Sequence, residues 1–529
     1  HVHGRFPFFQ KQESGFREVE SFHRLRLRSK APAYGIALHR AAVTPAAARI
    51  TLHGSDPTRT NPMFRSLLTL ALSCASLAVS SQDIRSEHAE RTLEIYRSIL
   101  EVDTSKTKGN TERVARYLGG ELVDAGFPAE DVRVVMKDDF ATLIATYRGD
   151  GSSGANPILF LGHMDVVEAL EKDWERPPFE LTQDDVNFYA RGTIDNKFGV
   201  AQLTSTFIRP RKEGFVPDRD LIIAFSGDEE SGMSTTRMMA FEMPELEEAE
   251  YALNSDAGGG SLTAAGKPVS YNIQAAEKTY ATCEITVRNP GGHSSRPRDD
   301  NAIYDLATLI KRLEAHRFPV MWSEMTLSYF QKVGEQMGGE LGDTMVRFAY
   351  DPEDEEAAER LLTEPSYVGS TRTTCVVTML DAGHAENALP QSATATVNCR
   401  IFPGVSVEQI EAELKEVVAN PEAEFVLLGD PTESPISETR ADVLAAVGKA
   451  VHSRYPDLQM ITYMSSGGTD AMHFRSAGIP TWGVGSVFMN PDEMFAHGLN
   501  ERVPIKAFYD ALDHWSIIIR ELAGEGWEG

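Results

Sequence analysis

The sequence predicts an α/β protein in which a large three-layer domain, built on a mostly parallel sheet, is interrupted by a smaller α+β domain. Helical and strand patterns alternate from residue 87 to residue 253 and again after residue 431, whereas the segment between them has the order β-α-β-β-α-β. The chain has 529 residues with 42% hydrophobic content, which is enough to bury at least two cores.

In the first part of the large domain, apolar residues recur with helical spacing and then form short strand-like runs. The second helix is bounded by Asn110, a suitable N-cap, and Gly126, a suitable C-terminal stop. The predicted elements are helices at 87–101, 111–125 and from about 198, and strands at 132–136, 142–147, 158–161, 221–225 and 251–253.

The smaller domain is predicted from alternating strands and two amphipathic helices. Its predicted strands are 280–287, 374–380, 393–401 and 425–428, and its helices are 303–314 and 407–418. An extra segment, 317–370, contains an acidic run that we interpret as solvated surface. The last part is predicted as a helix at 441–455, a glycine-rich loop at 465–470, a strand at 481–484 and a helix at 505–522. The predicted domain segments are 82–278, 279–430 and 431–529.

The N-terminal region differs from the rest of the chain. Residues 1–62 are rich in Arg and His and poor in acids, and we interpret them as a non-native or disordered extension. Residues 63–81 combine Met63, Arg65, an apolar run and small residues before Ser81, which predicts a signal peptide and a secreted or periplasmic protein. A short buried helix is the alternative. No later apolar run is long enough to predict a membrane span.

Composition and cysteines exclude several classes of function. The formal net charge of -27 argues against nucleic-acid or anionic-membrane partners, which require a basic face. Without residues 63–81 the cysteines are Cys283, Cys375 and Cys399, and they include no Cys-x-x-Cys pair for a zinc site. Cys375 and Cys399 lie symmetrically about a turn near Asn387 and can face each other across a hairpin, but we predict small buried thiols.

Histidine and acidic side chains recur at the ends of the predicted strands and in glycine-flanked loops. They are His163, Asp165, Asp195, Glu229, Glu230, Asp256 and His497. In parallel sheets, reactive groups lie just beyond the carboxyl ends of the strands. Two histidines with several carboxylates suit zinc, with cobalt or manganese as substitutes, and one carboxylate can bridge two such ions.

These motifs, in this order, resemble the di-zinc metallohydrolases that include aminoacylase, carboxypeptidase G, carboxypeptidase S and succinyl-diaminopimelate desuccinylase. The resemblance extends from about Ser86 to the end of the chain. It rests on the sequences His163-Met164-Asp165-Val166-Val167, Trp174, Pro177-Pro178-Phe179, Arg191-Gly192 and Asp195-Asn196-Lys197. It implies a three-layer catalytic domain interrupted by a smaller α+β lid domain of the dimerisation type.

The resemblance also implies a role for each strand-end residue. Asp195 would bridge two zinc ions, His163 and Asp256 would complete one site, and Glu230 and His497 would complete the other. Glu229 would then be the general base. We expect Asp165 to accept the second ring N–H of His163 and so fix its tautomer. In this family the peptide bond after the bridging ligand is cis, which here would be Asp195-Asn196.

The lid domain supplies further candidates by the same resemblance. His293 would close onto the site and stabilise the oxyanion. Asn387 and Arg400 match substrate-binding positions, and the planar guanidinium of Arg400 suits a free C-terminal carboxylate. Gly467 and Gly468 resemble the loop that forms a wall of the substrate site. In dimeric relatives the equivalent of His293 reaches the partner's site, whereas here an enlarged lid can replace that partner, so a homodimer through the lid domain stays open.

We therefore expect zinc-dependent hydrolysis of an amide bond adjacent to a free C-terminal carboxylate, in a peptide or an N-acyl amino acid. The alternatives are an aminoacylase, a dipeptidase that recognises a free amino terminus, and a non-catalytic binding protein on the same fold. The last alternative predicts a lost ligand or base, and all five ligands and Glu229 are present.

Overall fold

The computed structural model describes residues 87–524, so the predicted extension and signal peptide lie outside the described residues. The helices of this range are α1 (87–100), α2 (Thr111–Asp124), α3 (Lys197–Glu213), α4 (Ser234–Glu242), α5 (Pro244–Glu247), α6 (Ala302–Ala315), α7 (Glu324–Met337), α8 (Gly339–Tyr350), α9 (Glu355–Leu362), α10 (Val407–Val418), α11 (Ala441–His452), α12 (Ala471–Ser476), α13 (Ile505–Asp510) and α14 (His514–Leu522). The strands are β1 (Val132–Lys137), β2 (Phe140–Tyr147), β3 (Ile158–His163), β4 (Thr182–Gln183), β5 (Asn187–Tyr189), β6 (Leu221–Ser226), β7 (Tyr251–Asn254), β8 (Gly259–Leu262), β9 (Pro268–Glu277), β10 (Thr279–Arg288), β11 (Gly292–His293), β12 (Thr374–Ala382), β13 (Ala388–Leu389), β14 (Ser392–Ile401), β15 (Glu424–Leu428), β16 (Met460–Ser465), β17 (Thr481–Gly483), β18 (Phe488–Met489) and β19 (Arg502–Pro504).

The central sheet is the middle of three layers, because successive residues of its inner strands point into hydrophobic cores on opposite faces. Its strand order is β1-β2-β6-β3-β7-β17-β9-β8-β18, with β16 paired to β9, and β3 runs parallel to both β6 and β7. Ile158 and Phe160 of β3 pack in the cluster that contains Phe207 of α3, whereas Leu159 packs in the cluster that contains Met239 of α4. Strands buried on both faces read as continuous apolar runs, which is the pattern that predicted them.

The lid domain has a separate four-stranded antiparallel sheet in the order β12-β14-β10-β15. Along β14 every second residue is buried, and Val397 packs with Leu309 of α6 and Leu414 of α10. Ser406 and Gln409 form a capping box at the start of α10, which explains where that helix begins. The predicted α/β fold class is confirmed, while the boundaries at residues 279 and 430 stay predictions.

The extra segment of the lid forms the helices α7, α8 and α9 around a small core of its own, centred on Phe330. Helix α7 is joined to the central sheet, because Lys332 Nζ donates to the Met460 carbonyl of β16 at 3.2 Å. The acidic run of this segment is more than solvated surface. Asp354 caps α9 by accepting from the Ala357 backbone N–H at 3.0 Å, and it pairs with Arg347 at 2.7 Å.

The prediction of small buried thiols was wrong for two cysteines. Cys375 and Cys399 are directly opposed residues of β12 and β14, with Cα atoms 4.1 Å apart, and they form a disulfide. The mirror spacing in the sequence indicated that they face each other, but only the strand register brings the two sulfur atoms together. Cys283 is a free buried thiol.

Two other features differ from the prediction. The closing helix is divided into α13 and α14, and the buried His514 at the start of α14 bonds the Val484 carbonyl at 3.1 Å. Strands β8, β9 and β16 were not predicted, because their apolar residues do not alternate regularly. Among the helices of residues 87–524, none has the length and apolar character needed to cross a bilayer.

Candidate metal centre and active site

His163 is the last residue of β3, and its buried imidazole faces two carboxylates from other loops. Its Nε2 atom lies 2.9 Å from Asp195 Oδ1 and 3.4 Å from Asp256 Oδ1. Its Nδ1 atom lies 3.1 Å from the Asp165 backbone carbonyl and 3.4 Å from Asp165 Oδ1. A ring nitrogen held by such oxygens fixes the tautomer and leaves Nε2 free to bind a metal ion.

The carboxylate of Asp165 has a second contact that the sequence did not predict. It accepts hydrogen bonds from the backbone N–H groups of Glu229 at 3.1 Å and Glu230 at 3.0 Å. Asp165 therefore joins the end of β3 to the loop after β6. The expected contact with the His163 ring is longer because the two backbone donors share the same carboxylate. On the other side of that loop, Asp228 caps α4 by accepting from Ser234 N at 2.7 Å.

Asp195 stands in the loop before α3, and its peptide bond to Asn196 is cis, as expected. Its two carboxylate oxygens face different histidines. Oδ1 lies 2.9 Å from His163 Nε2, and Oδ2 lies 3.0 Å from His497 Nε2. This is the arrangement that a carboxylate needs to bridge two metal ions.

Glu501 organises the loop of Asp195 and was missed by the sequence analysis. Its buried carboxylate accepts from Ile194 N at 2.8 Å and Asp195 N at 3.3 Å, and it pairs with Arg191 at 2.6 Å. An acid four residues after His497 was the available signal. It is a weak one, because nothing local indicates that this side chain is buried.

His497 completes the group from the opposite end of the chain. Its Nε2 atom lies 2.7 Å from Glu230 Oε1, and its backbone has a left-handed φ of 62°. The pKa of His497 is raised to about 10 by its hydrogen bonds to Asp195 and Glu230, because the two nearby carboxylates stabilise the protonated imidazole.

The donor set fits divalent metal ions. Ligand atoms of His163, Asp195 and Glu230 all lie within 4.8 Å of one another, and Asp256 is next to them. Burial raises the pKa of Asp256 to about 8, and burial also raises the pKa of Glu229 above its usual range. Closely packed buried carboxylates that face imidazoles are stabilised by cations, and oxygen and nitrogen donors in this ratio suit zinc or a similar ion.

Two adjoining cavities extend from this group. One, of about 320 Å³, is lined by Asp195, Asp256 and His497, and the other, of about 650 Å³, is lined by Arg400 of the lid. Glu229, Glu230 and Gly468 line both. Arg400 Nη1 donates to the Ser466 carbonyl at 2.9 Å, and its guanidinium lies 4.6 Å from the centre of the Tyr280 ring. Arg400 and the predicted base therefore line the same cavity.

Two predicted residues are not brought to the metal centre. His293 and Asn387 lie together on the exposed ribbon of β11 and β13, where Ser294 N donates to the Asn387 carbonyl at 3.0 Å. His293 Nδ1 accepts from Ser295 N at 3.1 Å. Neither residue lines the two cavities of the centre. Gly467 is exposed beside Gly468, in the loop after β16.

Asp470 is the last residue of the predicted glycine-rich loop, and the sequence indicated no role for it. Its buried side chain accepts from Ser226 Oγ at 2.6 Å and from Thr236 Oγ1, so it ties this loop to the end of β6. Burial raises the pKa of Asp470 to about 6, with further acids nearby. The position of the acid directly before α12 was the only signal in the sequence.

Comparison with known proteins agrees with this geometry. The chain is 27% identical over 422 residues to human N-fatty-acyl-amino acid synthase/hydrolase PM20D1, covering 77% of this chain and 82% of that one. It is 28% identical over 400 residues to probable carboxypeptidase S-like 2 of Dictyostelium discoideum, and the match covers 72% of this chain and 74% of that one. The M20 family metallo-carboxypeptidase Sso-CP2 of Sulfolobus solfataricus has the same fold, with a TM-score of 0.62 and 18% identity. The match covers 81% of this chain and 98% of that one.

The family model "Peptidase family M20/M25/M40" matches residues 159–521, a range that contains every predicted metal ligand. The members of this family are metallohydrolases that cleave amide bonds, and the grouped histidine and carboxylates meet that requirement. The alternative of a non-catalytic binding protein is therefore set aside. The chain belongs to Peptidase family M20/M25/M40.

Proposed function

We propose that this enzyme hydrolyses the amide bond of an N-acyl amino acid or a short peptide next to a free C-terminal carboxylate, with two zinc ions per chain. The observation that carries the proposal is the position of Asp195, whose two carboxylate oxygens lie 2.9 and 3.0 Å from the imidazoles of His163 and His497. One ion would be held by His163, Asp195 and Asp256. The other would be held by Asp195, Glu230 and His497.

When bound, the zinc pair supplies Lewis acidity and lowers the pKa of coordinated water. The protein supplies the proton transfers. Glu229 lines both cavities, which supports a role for it at the border of the proposed metal and substrate sites. Glu229 would take the proton from the attacking water and return it to the leaving amine. Burial raises its pKa, which favours a group that must first accept and then donate a proton.

Arg400 would orient the substrate by its free carboxylate. It is the lid residue that reaches the larger cavity with a cationic fork, and its bond to the Ser466 carbonyl together with the Tyr280 ring holds it in place. Gly468 lines the same cavity, and we propose that Gly467 and Gly468 form the adjacent wall. A dipeptide also carries a free C-terminal carboxylate, so the substrate panel below, and not Arg400, separates a dipeptidase from an N-acyl amino acid hydrolase.

Apolar side chains of the larger cavity support a substrate with an apolar acyl group. Met233, Leu428, Pro431 and Met472 line it, and methionine side chains adapt to flexible apolar chains. The relatives named N-fatty-acyl-amino acid synthase/hydrolase are consistent with this choice. We therefore propose an N-acyl amino acid with an apolar acyl group as the preferred substrate.

His293 and Asn387 would act after a change in the position of their ribbon. Both are exposed and lie outside the two cavities, so they would reach a substrate by closure of the lid or by contributing to the site of a second copy in a homodimer. In either case His293 would stabilise the oxyanion. The loss of activity in His293→Ala, measured together with the mass of the assembly, would separate these two alternatives.

We also propose that the protein is secreted or periplasmic. The disulfide between Cys375 and Cys399 supports this, because structural disulfides persist in oxidising compartments. The signal peptide proposed at residues 63–81 would direct the chain there.

The test is a panel of dipeptides and N-acyl amino acids, incubated with the full chain and read by mass spectrometry. Release of a C-terminal amino acid that is abolished by chelator and by Glu229→Ala, but retained in Glu416→Ala on the exposed side of α10, supports the proposal. The ranking of substrates then decides between acyl and peptidyl groups. Cleavage only of substrates with a blocked C terminus would contradict the role of Arg400, and no cleavage with zinc or cobalt added would contradict the substrate class.

A further inference from the structure

The lid domain contains a second cavity that shares no lining residue with the cavities of the metal centre. It lies between the end of α6, the strand β12 and the end of the extra segment, and its volume is about 640 Å³. We call it the lid cavity. Its size is within the range of about 300–1,000 Å³ that is typical of small-molecule sites.

One wall of the lid cavity is apolar. It is formed by Phe318, by Val376 and Val377 of β12 and by Val397 of β14. Phe318 and Val397 are buried, whereas Val376 is 59% exposed at the open side. An apolar wall that extends from buried to exposed side chains suits an alkyl chain.

The charged side chains that line the cavity are Lys311, Arg317 and Arg372, which are basic, and Glu314, which is acidic. Arg372 lines it and is only 4% exposed. Its Nη1 atom donates to the Phe318 carbonyl at 3.3 Å, while Nε and Nη2 have no hydrogen-bond partner in the described part of the chain. Arg317 also lines the cavity, but it is exposed, and its hydrogen bonds within residues 87–524 go to the backbone carbonyls of Glu314 and His316.

The acids near the cavity form no ion pair with these two arginines in the described part of the chain. Within residues 87–524 no carboxylate lies within 4.0 Å of Arg317 or Arg372. Glu314 lines the cavity and feels the charge of Arg317, but its ion pair is with Lys311. The acid that influences Arg372 electrostatically, Glu359, is exposed and forms no ion pair within the described range. A buried guanidinium without a counter-ion is costly, and in a chain with a net charge of -27 this lack of acids is unexpected.

We propose that the lid cavity binds a long-chain carboxylate. The carboxylate would lie at Arg372 and Arg317, and the alkyl chain would lie along Phe318, Val376, Val377 and Val397. An inorganic anion would leave the apolar wall unused, and a neutral lipid would leave both arginines unpaired. The proposal concerns a site separate from the catalytic one, and it stands whether or not the proposed substrate is correct.

The lid cavity is connected to the junction of the two domains. Lys278 Nζ donates to the Arg372 carbonyl at 2.8 Å, and Lys278 is the single residue between β9 of the central sheet and β10 of the lid. A ligand that contacts Arg372 is therefore one hydrogen bond away from the connection between the two sheets. We expect bound carboxylate to alter KM more than kcat, because the lid carries Arg400.

The test measures displacement of the fluorescent probe 11-(dansylamino)undecanoate from the full chain by dodecanoate or by dodecan-1-ol. We expect one dodecanoate per lid cavity, with the alcohol weaker by at least about tenfold, because a charge-assisted contact is lost. Arg372→Met should weaken dodecanoate binding by about tenfold or more, and Arg372→Lys, which keeps the charge but lacks the planar fork, should restore part of the affinity.

Arg400→Gln is the matched control, since it removes a guanidinium from the larger cavity of the metal centre and leaves the lid cavity intact. Dodecanoate binding that depends on Arg400 and not on Arg372 would place the ligand in the catalytic cleft and overturn the proposal. Equal affinity for the acid and the alcohol would also overturn it. The proposal would also be overturned if light scattering showed a dimer and the probe did not bind, because a second copy would then cover the cavity.

Discussion

His497 Nε2 lies 2.7 Å from Glu230 Oε1, although 267 residues separate them in the chain. The contact joins the second part of the large domain to the first, across the whole inserted lid. If the two side chains bind one metal ion together, removal of either side chain should release that ion and leave the other ion bound. His497→Ala is expected to retain about one zinc per chain instead of two and to lower kcat/KM by more than about 100-fold.

Metal content after dialysis, measured by inductively coupled plasma mass spectrometry, checks this prediction. Glu416→Ala serves as the control, because it removes an exposed acid of α10. Two tightly held ions in His497→Ala would show that His497 is not a ligand.

Glu501 is expected to control metal affinity without touching the metal. Its carboxylate bonds the backbone of Ile194 and Asp195 and pairs with Arg191, so Glu501→Gln should loosen the loop that carries the bridging ligand. We expect zinc affinity to fall by about 10–100-fold, as for other residues that orient ligands. Competition with a chromophoric chelator measures this, and rescue of activity by excess zinc would separate positioning from direct catalysis. Unchanged zinc affinity would contradict it.

Arg400→Gln tests how the substrate is held. A charge-assisted bond to a carboxylate is worth about 1.5–3 kcal/mol, so KM for substrates with a free C terminus should rise by about 10–100-fold. Substrates with an amidated C terminus should change little. Arg400→Lys is expected to recover only part of the loss, because it lacks the planar fork. An equal effect on both substrate classes would mean that Arg400 shapes the lid rather than reading the carboxylate.

The disulfide of the lid should stabilise the folded chain. Cys375 and Cys399 are separated by 24 positions, and closing a loop of that size contributes about 3 kcal/mol in the chain-entropy model. The double variant Cys375→Ala/Cys399→Ala is therefore expected to unfold at lower urea concentration. Reducing agent should lower the stability of the wild type and leave the double variant unchanged. Equal unfolding midpoints in all four samples would contradict the expectation.

His514 should make stability depend on pH. Burial, followed by the nearby positive charge of Arg454, lowers the pKa of His514 to about 3 in the folded state. The unfolded imidazole takes up a proton near pH 6.5, so this contribution to stability is complete above about pH 6.5 and decreases as the pH falls toward 3. In His514→Gln, unfolding near pH 5 should take up about one proton fewer. Urea unfolding at several pH values measures it, and parallel pH profiles for the two proteins would contradict it.

The sequence by itself predicted the fold class, which is confirmed, and it supplied the candidates for the residues that carry the chemistry, which stay predictions. Doubly buried strands must be continuous apolar runs, so β3 and β6 were visible, and the residues that end them, His163 and Ser226, followed from chain direction. The match to the family motifs placed Asp195, Glu229, Glu230, Asp256 and His497 in order. These are local patterns, and they can be recognised from the order of the residues alone.

Only the tertiary structure decided which of these residues meet. Glu501 and Asp470 are buried acids whose partners are backbone N–H groups, hydroxyls and an arginine from other segments, and no local pattern predicts that burial. The disulfide required the exact register of β12 on β14, and a shift of one residue would have turned the thiols apart. The position of His293 on an exposed ribbon, outside the metal centre, was likewise decided by how the lid packs, because side chains far apart in sequence meet only through packing between domains.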